Sequence, residues 1–411
     1  MKYIIVLGDG MADEPLEEYG GKTPLQLAHI PEIDRLAKLG RCGRLITVPE
    51  RMQPGSEIAN MALLGYDVEN VFEGRGTLEA ASMGVTLEEG DLALRCNLLT
   101  IEGIRLKNHS AGHISNPEAH ELIDFLNEKL GSDRVTFYKG VSYRHLLVIR
   151  GGNKQLDCTP PHDIPGEPFK DHLVKAKTVE AGETADLLNY LIFKSMELLP
   201  SHPVNRKRRD AGKDVANSIW PWSPGYKPNM PTLQEMFGIG RSAVISAVDL
   251  IQGIGVYAGM DVIKVDGATG LYDTNYEGKA RAVVRALDDH DLVYLHIEAS
   301  DEAGHEGNVA LKTRTIEFLD HRVVKYLVSE TAKMDEPVAI AVLPDHPTPC
   351  ATTVHTKDPV PFLIYKPGEK PDEVTTYDEF SVEKGSYGLL RGDGFMRALL
   401  APPGELPERH S

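Results

Sequence analysis

Asp301-Glu302-Ala303-Gly304-His305 sets a carboxylate and an imidazole four positions apart, where a mostly apolar run over residues 291–297 ends. An apolar segment that breaks into acids, a glycine and a histidine reads as a buried strand emerging into a polar site. Carboxylate oxygen and imidazole nitrogen together suit a borderline divalent ion such as Zn or Mn. In a chain with fifteen histidines the spacing also arises by accident, so the pair gains meaning only from company. The same pattern recurs twice. Residues 3–7 run directly into Gly8-Asp9-Gly10, and Val338–Leu343 runs into Pro344-Asp345-His346, with His355 shortly beyond. In an open parallel sheet, ligands gather beyond the carboxyl ends of the strands. Asp9, Asp301, His305, Asp345, His346 and His355 therefore form a ligand set sufficient for two metal ions sharing one site.

A second stretch, Pro54-Gly55-Ser56-Glu57, places a serine where a helical run through Ile58, Met61, Ala62 and Leu64 begins. Ser56 has two readings. Serine is among the best helix N-caps; at a helix N-terminus, beside metal ligands, it also makes a nucleophile whose negative charge is favoured by the helix dipole. The ligand set favours the nucleophile. Gly74-Arg75-Gly76 reads as a flexible loop presenting a guanidinium, suited to phosphate or carboxylate or serving only as a turn. From about residue 91 the chain changes to alternating strands and a helix, and this part holds His109, His113, Arg144, His145 and His162. As a group these suit an anion clamp facing the metals, with ordinary surface placement as the other reading.

These side chains require elements to position them. Pro31–Leu39 reads as a helix with Pro31 at its first position and Gly40 as its stop. Asn116–Leu130 has a buried stripe of Ala119, Leu122, Ile123, Leu126 and Leu130 and closes at Gly131. Arg144–Arg150 and Val360–Tyr365 read as strands. Strands alternating with helices imply a mainly parallel α/β sheet covered by helices on both faces, carrying an inserted α+β domain. The expected division is a discontinuous core of residues 1–85 and 175–411 around an insertion of residues 86–174. Residues 180–199 read as a helix returning to the core, and residues 205–213 as a solvated basic loop, with a substrate lid as the other reading. Residues 219–224 read as a Pro-rich loop with both tryptophans, and the tail after Pro402 as loose.

The balance of the 411 residues, 41% hydrophobic and 26% charged, is that of a soluble globular protein. A formal net charge of -17 opposes bulk attraction to nucleic acid or an anionic membrane, so an anionic substrate must be held by local cations. Four scattered cysteines form no framework, which implies a reducing, cytoplasmic setting. The first apolar run is short and closed by Asp9, as expected of a strand and not of a signal peptide. No run is long enough to span a bilayer.

Taken together, Gly8-Asp9-Gly10-Met11, Pro54-Gly55-Ser56-Glu57-Ile58-Ala59-Asn60, Gly267-Ala268-Thr269-Gly270, Asp273-Thr274-Asn275-Tyr276, Asp301-Glu302-Ala303-Gly304-His305, Asp345-His346 and His355 resemble a known family. It is that of the archaeal-type cofactor-independent phosphoglycerate mutases of the alkaline phosphatase superfamily. The resemblance implies a two-metal, alkaline-phosphatase-like core with an inserted substrate domain. It assigns Asp9, Ser56, Asp345 and His346 to one metal and Asp301, His305 and His355 to the other, with Ser56 as both ligand and nucleophile. The implied reaction interconverts 3-phosphoglycerate and 2-phosphoglycerate through phosphoserine, using Mn, Zn or Co with Mn favoured and no bisphosphoglycerate. His113, Arg144 and His162, with Arg75, are the candidates for holding the substrate. The chain departs from the family at Asn108-His109-Ser110-Ala111-Gly112-His113 and Trp222-Ser223-Pro224-Gly225, where guanidinium groups are expected. Those departures resemble a bacterial branch proposed to act as homoserine kinases. The alternative is therefore a homoserine kinase-like phosphotransferase, or a metallophosphatase, on the same Ser56 and metals.

Overall fold

The computed structural model describes residues 1–405, so the last part of the tail expected to be loose lies outside the described residues. The chain divides into two units, one of Met1–Phe72 with the chain from Met230 onward, the other of Glu73–Asn229.

The first unit is built on a sheet in which the Lys2–Gly8 strand lies between Leu292–Ile297 and Val338–Leu343, parallel to both. Ser242–Ile245 and then Asp261–Val262 extend it on one side, also in parallel. On the other side Val360–Tyr365 runs antiparallel, followed by Arg41–Leu45 and Gly388–Leu390. Side chains alternate across a strand, so each central strand feeds two cores. Ile4, Val6, Val293, Leu295, Ile297, Ile340 and Val342 join one cluster with Ile33, Leu36, Val283, Ile316 and Leu327 from the helices on that face. On the opposite face Ile5, Leu7, Tyr294, Ala341 and Leu343 are equally buried. There Ser56–Leu63 packs on Asp249–Tyr257, and Phe395 of Gly394–Leu400 meets Phe362 edge-on. The expected mainly parallel sheet with helices on both faces is the observed one. Among the described residues no helix is long and apolar enough to cross a membrane.

The second unit is an antiparallel sheet around the long Asp91–Glu102 strand, which pairs with Arg144–Arg150, Arg105–Asn108 and Ser218–Gly225. Val135–Val141 completes it beside Arg144–Arg150. Helices Asn116–Leu130 and Gly182–Leu198 cover the face that carries Leu92, Leu94, Cys96 and Leu98. This unit is wider than the expected insertion at both ends, and at its C-terminal end the reasons are identifiable. The segment read as a Pro-rich loop is a strand: Pro221 sits opposite Cys96 on an edge, where its missing N–H breaks no ladder. Gly182–Leu198 packs on that strand and so stays in this unit instead of returning to the core. The basic run is the helix Pro203–Asp210, and its Arg208 is buried in an ion pair with Glu118 at 2.8 Å.

Candidate active site

The register of the three central strands sets the site. Gly8 lies opposite Ile297, and Leu7 opposite Leu343, so Asp9, Glu298 and Asp345 leave the sheet at the same edge. Helix Ala299–His305 starts there and carries Asp301 and His305 one turn apart. Gly10 turns with φ 59°, and a Cβ on it would stand 2.5 Å from Thr348 Oγ1 and 2.6 Å from Asp301 Oδ1. Only glycine lets these loops approach so closely.

All seven expected residues of this edge meet. Ser56 Oγ is 3.2 Å from His346 Nε2. His346 Nε2 is 3.6 Å from Asp9 Oδ1 and 3.5 Å from Asp345 Oδ2. Asp301 is flanked by His305 and His355, each with Nε2 at 3.2 Å from one of its oxygens. The His355 ring stacks on that of His346 at 3.8 Å. Donor atoms of Asp9, Asp345 and His346 lie within 4.8 Å of one another, as do those of Asp301, His346 and His355. Thr353, whose carbonyl accepts from His305 Nδ1, is held at φ 60°, a conformation costly for a β-branched residue.

Ser56 is not the helix cap. The N-cap of helix Ser56–Leu63 is Gly55, and Ser56 is the first helical residue; it contributes no capping bond. Its hydroxyl is turned to His346 instead.

Several partners of these groups escaped the sequence reading. Asn60 Nδ2 donates to Asp345 Oδ2 and to the Ser56 carbonyl, each at 2.8 Å, while its Oδ1 accepts from the Tyr294 hydroxyl. Thr348 Oγ1 donates to Asp301 Oδ1 at 2.5 Å. His296 Nε2 meets Asp9 Oδ2 at 2.9 Å. Lys312, wholly buried, donates to Ala12 O, Asp13 Oδ2 and Thr348 O and so ties the loop of Asp9 to the loop of Asp345. Strand periodicity was the available signal for Tyr294 and His296: they share a face, two residues apart, inside an otherwise apolar strand.

The electrostatics call for cations. Burial, then the charges of Asp345, Glu298 and Asp301, raise the Asp9 carboxyl well above its ordinary value. Burial and Asp301 push Glu298 up to about 8. Burial also raises Asp301, but hydrogen bonds with His305 and His355 outweigh it and hold that carboxyl low. Burial lowers His346 and pushes His296 down to about 3, so the His296 ring brings no charge to offset the acids. Among the described residues Asp9 Oδ1 and Glu298 Oε2 are buried with no hydrogen-bond partner. A hydrogen bond with Asp301 raises His305 to about 9 at one side of the site; around Asp9 and Glu298, carboxylates this close with orphaned oxygens fit divalent ions.

In the second unit the expected anion-binding residues gather around two aromatic rings. His109 and His113 meet Tyr143 edge-on at 5.8 and 6.1 Å, and the Arg144 guanidinium lies 5.6 Å from the same ring. His162 meets Trp222 at 5.3 Å, and Arg95, which the sequence reading passed over, lies over Trp222 at 4.7 Å. Arg75 is no loop residue: it opens helix Arg75–Ser82 behind Gly74, and its charge is felt by Arg95 and His162. His145 departs from the group. It is buried beside His120, with Nδ1 accepting from Gly140 N at 3.0 Å, and burial pushes it down to about 3. Ala111, His113 and Ser142 in the loops around this cluster, and Ser223 within the Ser218–Gly225 strand, all take positive φ, so its geometry is held against local preference.

The family model described as 2,3-bisphosphoglycerate-independent phosphoglycerate mutase matches residues 37–205. A protein of that name from Methanosarcina acetivorans is 50% identical over 404 residues, 97% of this chain and 100% of its own. The chain belongs to that family. Membership makes it an enzyme of the isomerase class, and independence of bisphosphoglycerate is in the family's name. Among solved structures, a Pyrococcus horikoshii protein aligns with TM-score 0.81 at 30% identity, covering 97% of this chain and 96% of its own. The cofactor-independent phosphoglycerate mutase of Thermoplasma acidophilum aligns with TM-score 0.69 at 27% identity, covering 97% and 99%. These likenesses support the mutase reading of the sequence and not the kinase-like or phosphatase alternative.

Proposed function

We propose that the chain interconverts 3-phosphoglycerate and 2-phosphoglycerate through a phosphoserine on Ser56. Two divalent ions, with Mn favoured over Zn or Co, would be held by Asp9, Ser56, Asp345 and His346 and by Asp301, His305 and His355. The observation that carries this reading is the Ser56 hydroxyl, free of any capping role and 3.2 Å from His346 Nε2, beside buried carboxylates with orphaned oxygens. When bound, such ions polarise phosphoryl oxygens and lower the pKa of a hydroxyl they touch.

The remaining chemistry belongs to the side chains. Ser56 Oγ attacks phosphorus as the bond to the 3-oxygen of glycerate breaks, and the serine proton ends on that oxygen. The second transfer reverses the exchange onto the 2-oxygen: the Oγ–P bond breaks and the 2-hydroxyl proton returns to Ser56. Water takes no part, so no free phosphate forms. The N-terminus of Ser56–Leu63 favours the negative charge of the phosphoserine. Asn60 holds the Ser56 carbonyl and Asp345 in fixed relation.

Glycerate must be retained between the two transfers, which requires cations for its carboxylate. His113, Arg144, His162 and Arg75 are the residues proposed for this, and Arg95 joins them by its place over Trp222. A cytoplasmic setting suits four free cysteines. The phosphoserine is tested by acid-quenching the Mn-loaded protein with 3-phosphoglycerate labelled in its phosphate and mapping the label. Label on the Ser56 peptide is expected; turnover with no label there would overturn the reading.

A further inference from the structure

His296 lies in the Leu292–Ile297 strand, on the face that also carries Tyr294, and its side chain is completely buried. Both ring nitrogens are engaged. Nδ1 is 3.1 Å from Ser246 Oγ, and Nε2 is 2.9 Å from Asp9 Oδ2. A merely space-filling ring would need neither contact, and the two partners stand just past the ends of the two strands that flank Leu292–Ile297.

The direction of each hydrogen bond follows from what surrounds the serine and the ring. Ser246 Oγ accepts the Val248 N–H at 3.0 Å and keeps its own hydrogen to donate, while His296 Nε2 faces the carboxylates of Asp9 at 2.9 Å and Glu298 at 3.5 Å and so carries the ring hydrogen, leaving Nδ1 to accept from the serine. The Ser246 carbonyl is in turn held by Gln252 Nε2 at 2.9 Å, which fixes this turn against helix Asp249–Tyr257. With Nδ1 accepting, the neutral ring carries its hydrogen on Nε2 and donates it to Asp9 Oδ2. That bond occupies one carboxylate oxygen. The other, Oδ1, has no hydrogen-bond partner among the described residues and is 3.6 Å from His346 Nε2. Asp9 is thereby turned so that a single oxygen is left for a cation on the side of His346.

We propose that His296 is a positioning residue which fixes Asp9 as a one-oxygen metal ligand, with Ser246 selecting the ring tautomer that makes this possible. The proposal rests on the reading of Asp9 as a ligand. Outer partners that orient a ligand typically change metal affinity by on the order of 10- to 100-fold. His296→Phe keeps a buried ring and removes the donor; His296→Gln keeps an N–H for Asp9; Ser246→Ala frees the tautomer.

The test is equilibrium dialysis of the full-length protein against chelator-buffered Mn²⁺, with bound metal measured by atomic emission and folding checked by circular dichroism. Asp9→Asn serves as the control. His296→Phe should weaken Mn²⁺ binding on the order of 10- to 100-fold, His296→Gln should recover most of the loss, and Ser246→Ala should fall between. Equal affinity in folded His296→Phe and the parent, with Asp9→Asn impaired, would overturn the positioning role alone. Unimpaired binding by Asp9→Asn would overturn the ligand reading and this proposal with it. Should His296→Phe fail to fold, the Gln and Ala variants decide. Parental affinity in Ser246→Ala, with nitrogen chemical shifts still reporting a single Nε2–H tautomer, would overturn the role given to Ser246.

Discussion

Replacing Lys312 by methionine tests how the two ligand loops are held together. The ammonium is wholly buried and donates at 2.7 Å to Asp13, whose carboxylate is also wholly enclosed, and at 3.0 and 2.8 Å to the carbonyls of Ala12 and Thr348. Lys312→Met leaves Asp13 Oδ2 with the Cys350 N–H, at 3.1 Å, and takes the ammonium from two carbonyls, of which Ala12 O keeps the Thr348 N–H at 3.2 Å. Breaking one side of a buried pair costs about 3–5 kcal/mol, or roughly two to nearly four decades in a folding equilibrium constant at about 1.4 kcal/mol per decade. The double variant Lys312→Met/Asp13→Leu removes both charges and should recover most of that loss, because an apolar replacement avoids the desolvation cost as well. Urea unfolding followed by circular dichroism measures it; tryptophan fluorescence would not, since Trp220 and Trp222 both belong to the other unit. A loss below about 1 kcal/mol, the range of exposed pairs, would refute the claim that this lysine braces the site.

Three further outcomes follow from the same geometry. Gly10→Ala would place a methyl group 2.5–2.7 Å from Thr348 Oγ1 and Asp301 at a positive φ, so turnover and Mn²⁺ uptake should both fall by more than tenfold, on the order expected when catalytic geometry slips by an ångström. Burial pushes Glu379 up to about 7 from 4.5, so the folded state keeps a proton that the unfolded state releases. Its contribution is present below pH 4.5 and is lost as pH rises through 7, by at most about 3 kcal/mol. Glu379→Gln should therefore be more stable than the parent in urea at pH 8 and match it near pH 4.5. Chelating bound metal should lower the melting temperature, since Asp9, Glu298, Asp301 and Asp345 then repel one another, and added Mn²⁺ should restore it in proportion to the logarithm of its concentration.

Much of the site was legible because its acids and histidines stand where apolar runs stop, and parallel register carries them to one edge. Ser56 was ambiguous because an N-cap and a first helical residue differ by a single position; only the backbone shows that Gly55 caps. Asn60 and His296 were hidden inside apolar segments, where a polar residue reads as an interruption until its face is known. In the second unit, prolines disguised the Ser218–Gly225 strand as a loop, and the charges of residues 206–209 disguised a helix that buries Arg208. Edge position and ion pairing, both long-range, decided those segments. Arg95 was overlooked because its partners Trp222 and Glu79 are distant in sequence.

The central claim is tested most directly by incubating Mn-loaded protein with 3-phosphoglycerate and following 2-phosphoglycerate and free phosphate together, with Ser56→Ala alongside. Formation of 2-phosphoglycerate without phosphate release or added bisphosphoglycerate, abolished in Ser56→Ala, is the predicted result. Phosphate release in place of 2-phosphoglycerate, or mutase turnover that survives in Ser56→Ala, would contradict the account.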